Sequence, residues 1–261
     1  MRPNLVRRRI ADGLPVVNGW LSIGSSYAAE GLGHAGYHSV TVDLQHGMLD
    51  FSVALGMLQA LSATPAVPLA RVPALDTACV MHLLDAGAYG IVCPMISTPE
   101  ETAALVAACR YPPEGQRSYG PARGLLYGGS DYVARANAEI MAIPMIETAE
   151  AVERIDDILA VPGVDMVYLG PNDLAYAMDG RVVGPRPRST DAIAHVLGRA
   201  RAAGVPAGVF CADAAEARDR VAQGFALVTP GNDFGLLRRS ATAAVRDVLA
   251  PASSQAAAGH A

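Results

Sequence analysis

Short apolar runs recur along the chain and alternate with amphipathic, helix-like stretches from end to end. Strands are expected over residues 16–23, 39–43, 67–72, 90–94, 141–146, 164–169, 207–210 and 226–229, with helices between most of them. Eight such units within 261 residues predict an α/β fold, a (β/α)8 TIM barrel. An open doubly wound sheet is the alternative, but no Gly-x-Gly-x-x-Gly lies directly after the first run. The chain is 51% hydrophobic and 17% charged, which suits one large, well-buried domain over residues 1–250. The Ala/Ser-rich stretch 251–261 is expected to be a disordered tail.

Helix punctuation supports this parse. Thr98-Pro99-Glu100-Glu101 is a capping box with proline at the first helical position. Asp50 and Asp76 are candidate N-caps, and Gly87 is placed to close the helix that holds His82, Leu83 and Leu84. Residues 148–161 read as one amphipathic helix and residues 4–11 as a short one. The segment 111–129, rich in Pro, Gly and Arg, reads as a long functional or subunit-contact loop.

Charge and cysteine usage narrow the function classes. A net charge of -5 argues against nucleic acid, which needs a basic face, and Arg7-Arg8-Arg9 is the only basic run. No segment approaches the ~18 uninterrupted apolar residues of a membrane span. Asp12, Pro15 and Asn18 interrupt any signal-peptide core, so a cytoplasmic protein is expected. Cys79, Cys93, Cys109 and Cys211 are scattered without metal-ligand spacing, as reduced, buried thiols would be. The chain contains no lysine, which excludes a lysine Schiff base, so carbonyl chemistry here needs another electrophile such as a metal ion.

Two carboxylates are the sharpest chemical signal. Glu147 ends the run Ile143-Pro144-Met145-Ile146, and Asp173 follows Met166-Val167-Tyr168-Leu169 through Gly170-Pro171-Asn172. One strand-helix-strand unit separates them, so both belong at the C-terminal edge of a parallel sheet. Strands there lie about 5 Å apart, close enough for two carboxylates to share a divalent cation. Hard oxygen ligands favour Mg²⁺, Mn²⁺ or Co²⁺. The Gly170-Pro171-Asn172-Asp173 turn into a helix can offer backbone N–H groups to a carboxylate, so a chelating 2-oxo acid satisfies the site. Asp173 is also a candidate N-cap of that helix.

Other polar residues fall on the same rim: Trp20 at the first strand, Asp43, Gln45 and His46 after the second, and Arg71 at the end of the third. A strand-end Arg71 facing the two carboxylates is placed to stabilise an enolate. His46 before Gly47 reads either as a turn residue or, with the rest of the set, as a base. Trp20 is core or pocket wall, and Asp85 alone reads as a helix end.

The motifs Asp43-Leu44-Gln45-His46-Gly47, Arg71-Val72-Pro73, Leu84-Asp85-Ala86-Gly87-Ala88, Cys93-Pro94-Met95, Arg110-Tyr111-Pro112-Pro113, Ile146-Glu147-Thr148 and Gly170-Pro171-Asn172-Asp173-Leu174 occur in this order. Together they resemble the HpcH/HpaI aldolase family, the metal-dependent class II pyruvate aldolases, over residues 14–249. The resemblance implies a homo-oligomer, a hexamer or trimer, whose C-terminal helix is open to exchange between subunits. It implies Glu147 and Asp173 as metal ligands, His46 as base with Asp85 raising its basicity, Arg71 on the enolate, and Asn172 and Asp173 at the pyruvyl end. Two positions depart from the pattern. Met145 stands where the family usually has Gln, and Ser118 where it often has Gly. A thioether is a weak acceptor and no donor, so Met145 points to an altered substrate pose.

The expected function is a metal-dependent carbon–carbon lyase that cleaves or forms 4-hydroxy-2-oxo acids. It would act through an enolate of pyruvate at the metal, with a small 2-oxo acid and an aldehyde as partners. The alternatives are another enolate reaction at the same site, such as oxaloacetate decarboxylation or a specialised condensation, and a non-catalytic 2-oxo-acid-binding protein. A citrate-lyase-like reaction on a CoA thioester lacks a recognisable CoA-phosphate site.

Overall fold

In the computed structural model, which describes residues 1–250, the eight expected strands are β1 (Val16–Leu21), β2 (Ser39–Asp43), β3 (Val67–Arg71), β4 (Gly90–Cys93), β5 (Met141–Ile146), β6 (Val167–Leu169), β7 (Ala207–Cys211) and β8 (Leu227–Pro230). They pair in parallel in sequence order and close on themselves, β8 against β1, giving the (β/α)8 barrel. The expected tail at 251–261 lies outside the described residues.

Around the barrel run α1 (Leu5–Ala11), α2 (Ser26–Gly33), α3 (Phe51–Leu61), α4 (Thr77–Asp85), α5 (Pro99–Cys109), α6 (Ala122–Gly128) and α7 (Tyr132–Glu139). The second half carries α8 (Ala149–Glu153), α9 (Ile155–Leu159), α10 (Pro171–Asp179), α11 (Pro187–Ala202), α12 (Ala214–Gln223) and α13 (Asp233–Leu249). Local chemistry sets many of these starts. Asp50, Asp76 and Asn4 accept N-cap bonds, and the Thr98–Glu101 capping box opens α5. Gly87 takes a φ of 108° just past the end of α4, a conformation that side chains disfavour.

Three expectations needed correction. The single helix over 148–161 is two short helices, α8 and α9, which meet at Arg154. The strand expected from residue 164 begins only at Val167, because Asp165 turns away to bind the Ala142 N–H at 2.7 Å and Arg110 at 2.6 Å. The long loop 111–129 contains α6, whose Arg123 donates to the Ala86 carbonyl at 2.6 Å and ties it to the end of α4.

The N-terminal end of the barrel is sealed by α1. Asn4 donates to the carbonyls of Tyr89 (3.2 Å) and Glu139 (2.8 Å), just before β4 and β5. Arg7 of the basic run pairs with Asp165 at 2.7 Å. Inside the barrel, Asn18 donates to Thr229 Oγ1 at 3.0 Å and accepts from Ser39 and Thr41, while the Tyr168 hydroxyl donates to Thr229 Oγ1 at 2.7 Å. This bonded layer is the floor on which the C-terminal rim stands. The four cysteines are unpaired thiols, and among the described residues no helix is long and apolar enough to cross a membrane.

Candidate active site

At the C-terminal end of the barrel opens a cavity of about 830 Å³. Trp20, His46, Arg71, Met145, Gly170, Asn172 and Asp173, all singled out from the sequence, line it. The rim position expected for such residues is therefore where the strands deliver them.

One side of the rim is closed upon itself. Parallel register sets Asp43 of β2 directly beside Arg71 of β3. Arg71 donates from Nε to Asp43 Oδ1 at 2.8 Å and from Nη2 to Oδ2 at 2.6 Å, a bidentate pair. The Trp20 indole N–H adds a bond to Oδ2 at 3.0 Å, and the Gln45 and His46 backbone N–H groups reach Oδ1. Asp43 and Arg71 are only 2% and 7% exposed. Burial opposes the charge on Asp43, but its bonds to Arg71 and Trp20 outweigh it and hold the carboxyl below its ordinary range.

Arg71 thus commits two of its nitrogens to Asp43, while its charge still reaches Glu147 and opposes the rise of that carboxyl's pKa. Its remaining terminal nitrogen, Nη1, meets only the Met145 sulfur, at 4.0 Å. The guanidinium lies over the Trp20 ring, 4.9 Å from its centroid, and Trp20 in turn stacks on Tyr168 at 5.6 Å. Asp43 was visible in the sequence as a rim residue without a role. Its place at the last position of a strand, level with a strand-end arginine, is the signal that could have assigned one.

Across the cavity, Glu147 follows β5 and is 2% exposed. Its Oε1 accepts the Met95 N–H at 2.8 Å. Met95 holds a φ of 58°, a left-handed conformation uncommon for a side-chain-bearing residue, and that conformation aims its N–H at Glu147. Nothing in the sequence marked Met95 for this task. Burial pushes the Glu147 carboxyl up to about 7; the Met95 bond works against the rise and the neighbouring Asp173 charge adds to it.

Asp173 is the third residue of α10. Gly170 occupies the cap position and no side chain caps this helix, so the Asp173 carboxylate is not spent on its own N-terminus. Gly170 leaves room for its neighbours: a Cβ there would displace Glu147 Oε2, lie 2.8 Å from Met145 Cε and come within 3.1 Å of Glu147 Cβ.

Glu147, behind Gly170 and off the cavity wall, lies close enough to the exposed Asp173 to feel its charge. Among the described residues neither carboxylate is in an ion pair, although Arg71 acts on Glu147 from a distance. Their oxygen donors suit a hard divalent cation that keeps positions for water and substrate. Among the described residues no group of three or more His, Cys, Asp or Glu is built to enclose a metal.

His46 lines the cavity and its side chain is exposed. Asp85, expected to support it, does not join it within the chain. Asp85 ends α4 and accepts from the buried Arg117 at 2.7 Å. Arg117 is packed over Tyr111 and Tyr132 and holds the 111–121 segment against the barrel.

The model of the HpcH/HpaI aldolase/citrate lyase family matches residues 18–240. A hydroxypyruvate/pyruvate aldolase from Rhizorhabdus wittichii is 41% identical, over 95% of this chain and 98% of its own. A 5-keto-4-deoxy-D-glucarate aldolase from Shigella dysenteriae is 34% identical, over 95% of this chain and 97% of its own. The crystal structure of an HpcH/HpaI aldolase/citrate lyase family protein from Burkholderia cenocepacia superposes with a TM-score of 0.89 at 35% identity, covering 95% of this chain and all of that one.

Proposed function

The chain belongs to the HpcH/HpaI aldolase/citrate lyase family, and from that premise we propose that it is a divalent-metal-dependent aldolase. It cleaves or forms 4-hydroxy-2-oxo acids, with pyruvate or hydroxypyruvate as the 2-oxo acid. The observation that carries this reading is the convergence of His46, Arg71, Asn172 and Asp173 on one cavity, with Glu147 behind Gly170.

In this reading Glu147 and Asp173 hold Mg²⁺, Mn²⁺ or Co²⁺, which when bound supplies Lewis-acid polarisation of a 2-oxo acid's carbonyl. At the start of α10 the exposed Asn172 and Asp173 offer backbone N–H groups to the substrate carboxylate, since Pro171 has none and Gly170 donates to Ile146. His46 takes the proton from the 4-hydroxyl. The C3–C4 bond then breaks, the hydroxyl carbon becomes the carbonyl of the departing aldehyde, and the bonding pair moves into the enolate. Arg71 is locked by Asp43 on two nitrogens, and its Nη1 has only a weak sulfur acceptor. That N–H is the donor available to the developing enolate oxygen, and it is fixed before substrate arrives. Trp20 acts through Asp43 as a positioning residue, Met145 leaves Nη1 uncommitted, and Asp85 acts at one remove by anchoring Arg117.

Deuterium entry into the pyruvate methyl group, followed by NMR in D2O, tests this. Exchange should require Mn²⁺, stop with EDTA, and be lost in His46→Ala while Mn²⁺ still binds. Exchange that persists in His46→Ala refutes the base assignment.

We also propose a homo-oligomer in which α13 covers a neighbouring subunit. Among the residues of α13 only Asp233 is buried, and Val245, Val248 and Leu249, in its last turns and away from the cavity, are exposed. Light scattering should give a multiple of the chain mass; a monomer at micromolar concentration would contradict it.

A further inference from the structure

We propose that the carbonyl partner of the 2-oxo acid is an uncharged aldehyde with an aliphatic or aromatic substituent, bound by Ile23, Met48, Phe210, Phe234 and Leu237. This rests on the aldolase reading and names the substrate class within it. The cavity, at about 830 Å³, is in the size range that encloses drug-sized ligands and far exceeds what a three-carbon acid fills.

The two halves of its wall differ in chemistry. The groups assigned above to the 2-oxo acid come from β2, β3, β5 and the start of α10. The opposite half comes from the end of β1, from β7, from the junction of β8 with α13 and from Met48 in the β2–α3 connection, and apart from Ser22 and Asn232 its side chains are apolar.

Polar atoms do exist on that opposite half, and all but the Asn232 amide nitrogen are engaged internally. Asp233 accepts from the Ser22 N–H at 2.8 Å, the Ser22 hydroxyl at 2.8 Å, the Ile23 N–H at 3.0 Å and the Phe234 N–H at 2.8 Å. Asn232 accepts the Gly235 N–H at 2.8 Å to cap α13. With these groups turned toward one another, the surface left for a ligand is hydrocarbon and aromatic except at the Asn232 amide N–H. Phe210 is held in place edge-on to Trp20, with centroids 5.7 Å apart. Met48, Phe234 and Leu237 form the outer lip, Phe234 and Leu237 being 53% and 59% exposed.

Charge leads to the same class. Among the described residues Arg71 is the only arginine lining the cavity, and Asp43 holds it on two nitrogens. The chain has no lysine. An aldehyde carrying its own carboxylate or phosphate would find no uncommitted guanidinium on the apolar half, and the Asp173 carboxylate lies on the same cavity. In the bond-forming direction the methyl carbon of pyruvate, as its enolate, joins the aldehyde carbon. The carbonyl electron pair goes to the aldehyde oxygen, which takes up a proton and becomes the 4-hydroxyl. The substituent on that carbon is the part directed at the apolar wall.

Condensation with pyruvate and Mn²⁺ should be measured across propanal, butanal, pentanal and hexanal, and for 4-oxobutanoate, which is close to pentanal in length but anionic. We expect kcat/KM to rise about fourfold for each methylene that the wall buries, and pentanal to exceed 4-oxobutanoate by at least tenfold. Leu237→Arg, at a half-exposed position, should move that ratio toward 4-oxobutanoate. Equal or better use of 4-oxobutanoate by the unaltered protein, with pyruvate methyl exchange intact, overturns the apolar subsite and leaves the aldolase reading standing. Absence of exchange overturns both. An unchanged ratio in Leu237→Arg removes Leu237, and the lip with it, from the assignment.

Discussion

The two sides of the rim differ in how complete they are. At the ends of β2 and β3, Asp43 and Arg71 satisfy one another with two bonds, and the Trp20 indole closes the set. At the ends of β5 and β6, Glu147 and Asp173 bring two negative charges together, and Glu147 is pushed up to about 7. One side is finished by the fold alone, whereas burial opposes the charge on the other, and a cation there would favour it. The finished side gives the site its geometry, and the unfinished side gives it an appetite for a cation.

The largest effect should come from breaking the finished side. Asp43→Ala leaves the buried Arg71 without its partner, an arrangement that costs about 3–5 kcal/mol. Denaturant unfolding should show that loss. Because Nη1 would no longer be held in place, kcat/KM should fall by at least about a hundredfold. A variant of unchanged stability would mean that the pair is not the anchor described.

The unfinished side should respond to metal and pH together. At a free Mn²⁺ concentration near 100 times its Kd, stability should rise by about 2.7 kcal/mol, and Glu147→Gln should abolish most of that gain. The sign of the pH effect follows from the raised carboxyl. Between the ordinary value of 4.5 and about 7, the folded protein binds a proton at Glu147 that the unfolded chain releases. Without metal, this group's contribution should therefore fall as pH rises through that window and stay lost above it. Thermal melts from pH 5 to pH 8 should show the decline without Mn²⁺ and a flatter profile with it. A decline identical in both conditions would separate the carboxylate pair from metal binding.

Smaller but more local is Gly170→Ala. The new methyl meets Glu147 Oε2 and the Met145 side chain, an overpacking of the kind that costs about 1–3 kcal/mol. Mn²⁺ affinity should weaken more than stability does. Unaltered Mn²⁺ affinity would place the cation away from Glu147.

Much of this molecule was legible in the chain because the relevant signals are local. Eight apolar runs gave the barrel, and the Asp50, Asp76 and Thr98 caps marked helix starts that the structure keeps. Residues just past strand ends mapped to the rim, since the fold fixes which end of each strand faces the cavity. Elsewhere, local signals misled. The 148–161 pattern is helical by periodicity, yet packing breaks it at Arg154. The apolar 164–166 segment lies outside β6 because Asp165 is drawn to Arg110 and the Ala142 N–H.

Composition and pattern by themselves determined the architecture, the absence of lysine chemistry and the two carboxylates one β–α–β unit apart. Only the tertiary structure decided the partners. It gave Arg71 to Asp43, gave Asp85 to Arg117, turned the Met95 N–H onto Glu147, and set an apolar wall opposite the polar one. Strand register and barrel closure bring together residues far apart in the chain. Which oxygen meets which nitrogen depends on that non-local geometry, to which no short stretch of sequence is sensitive.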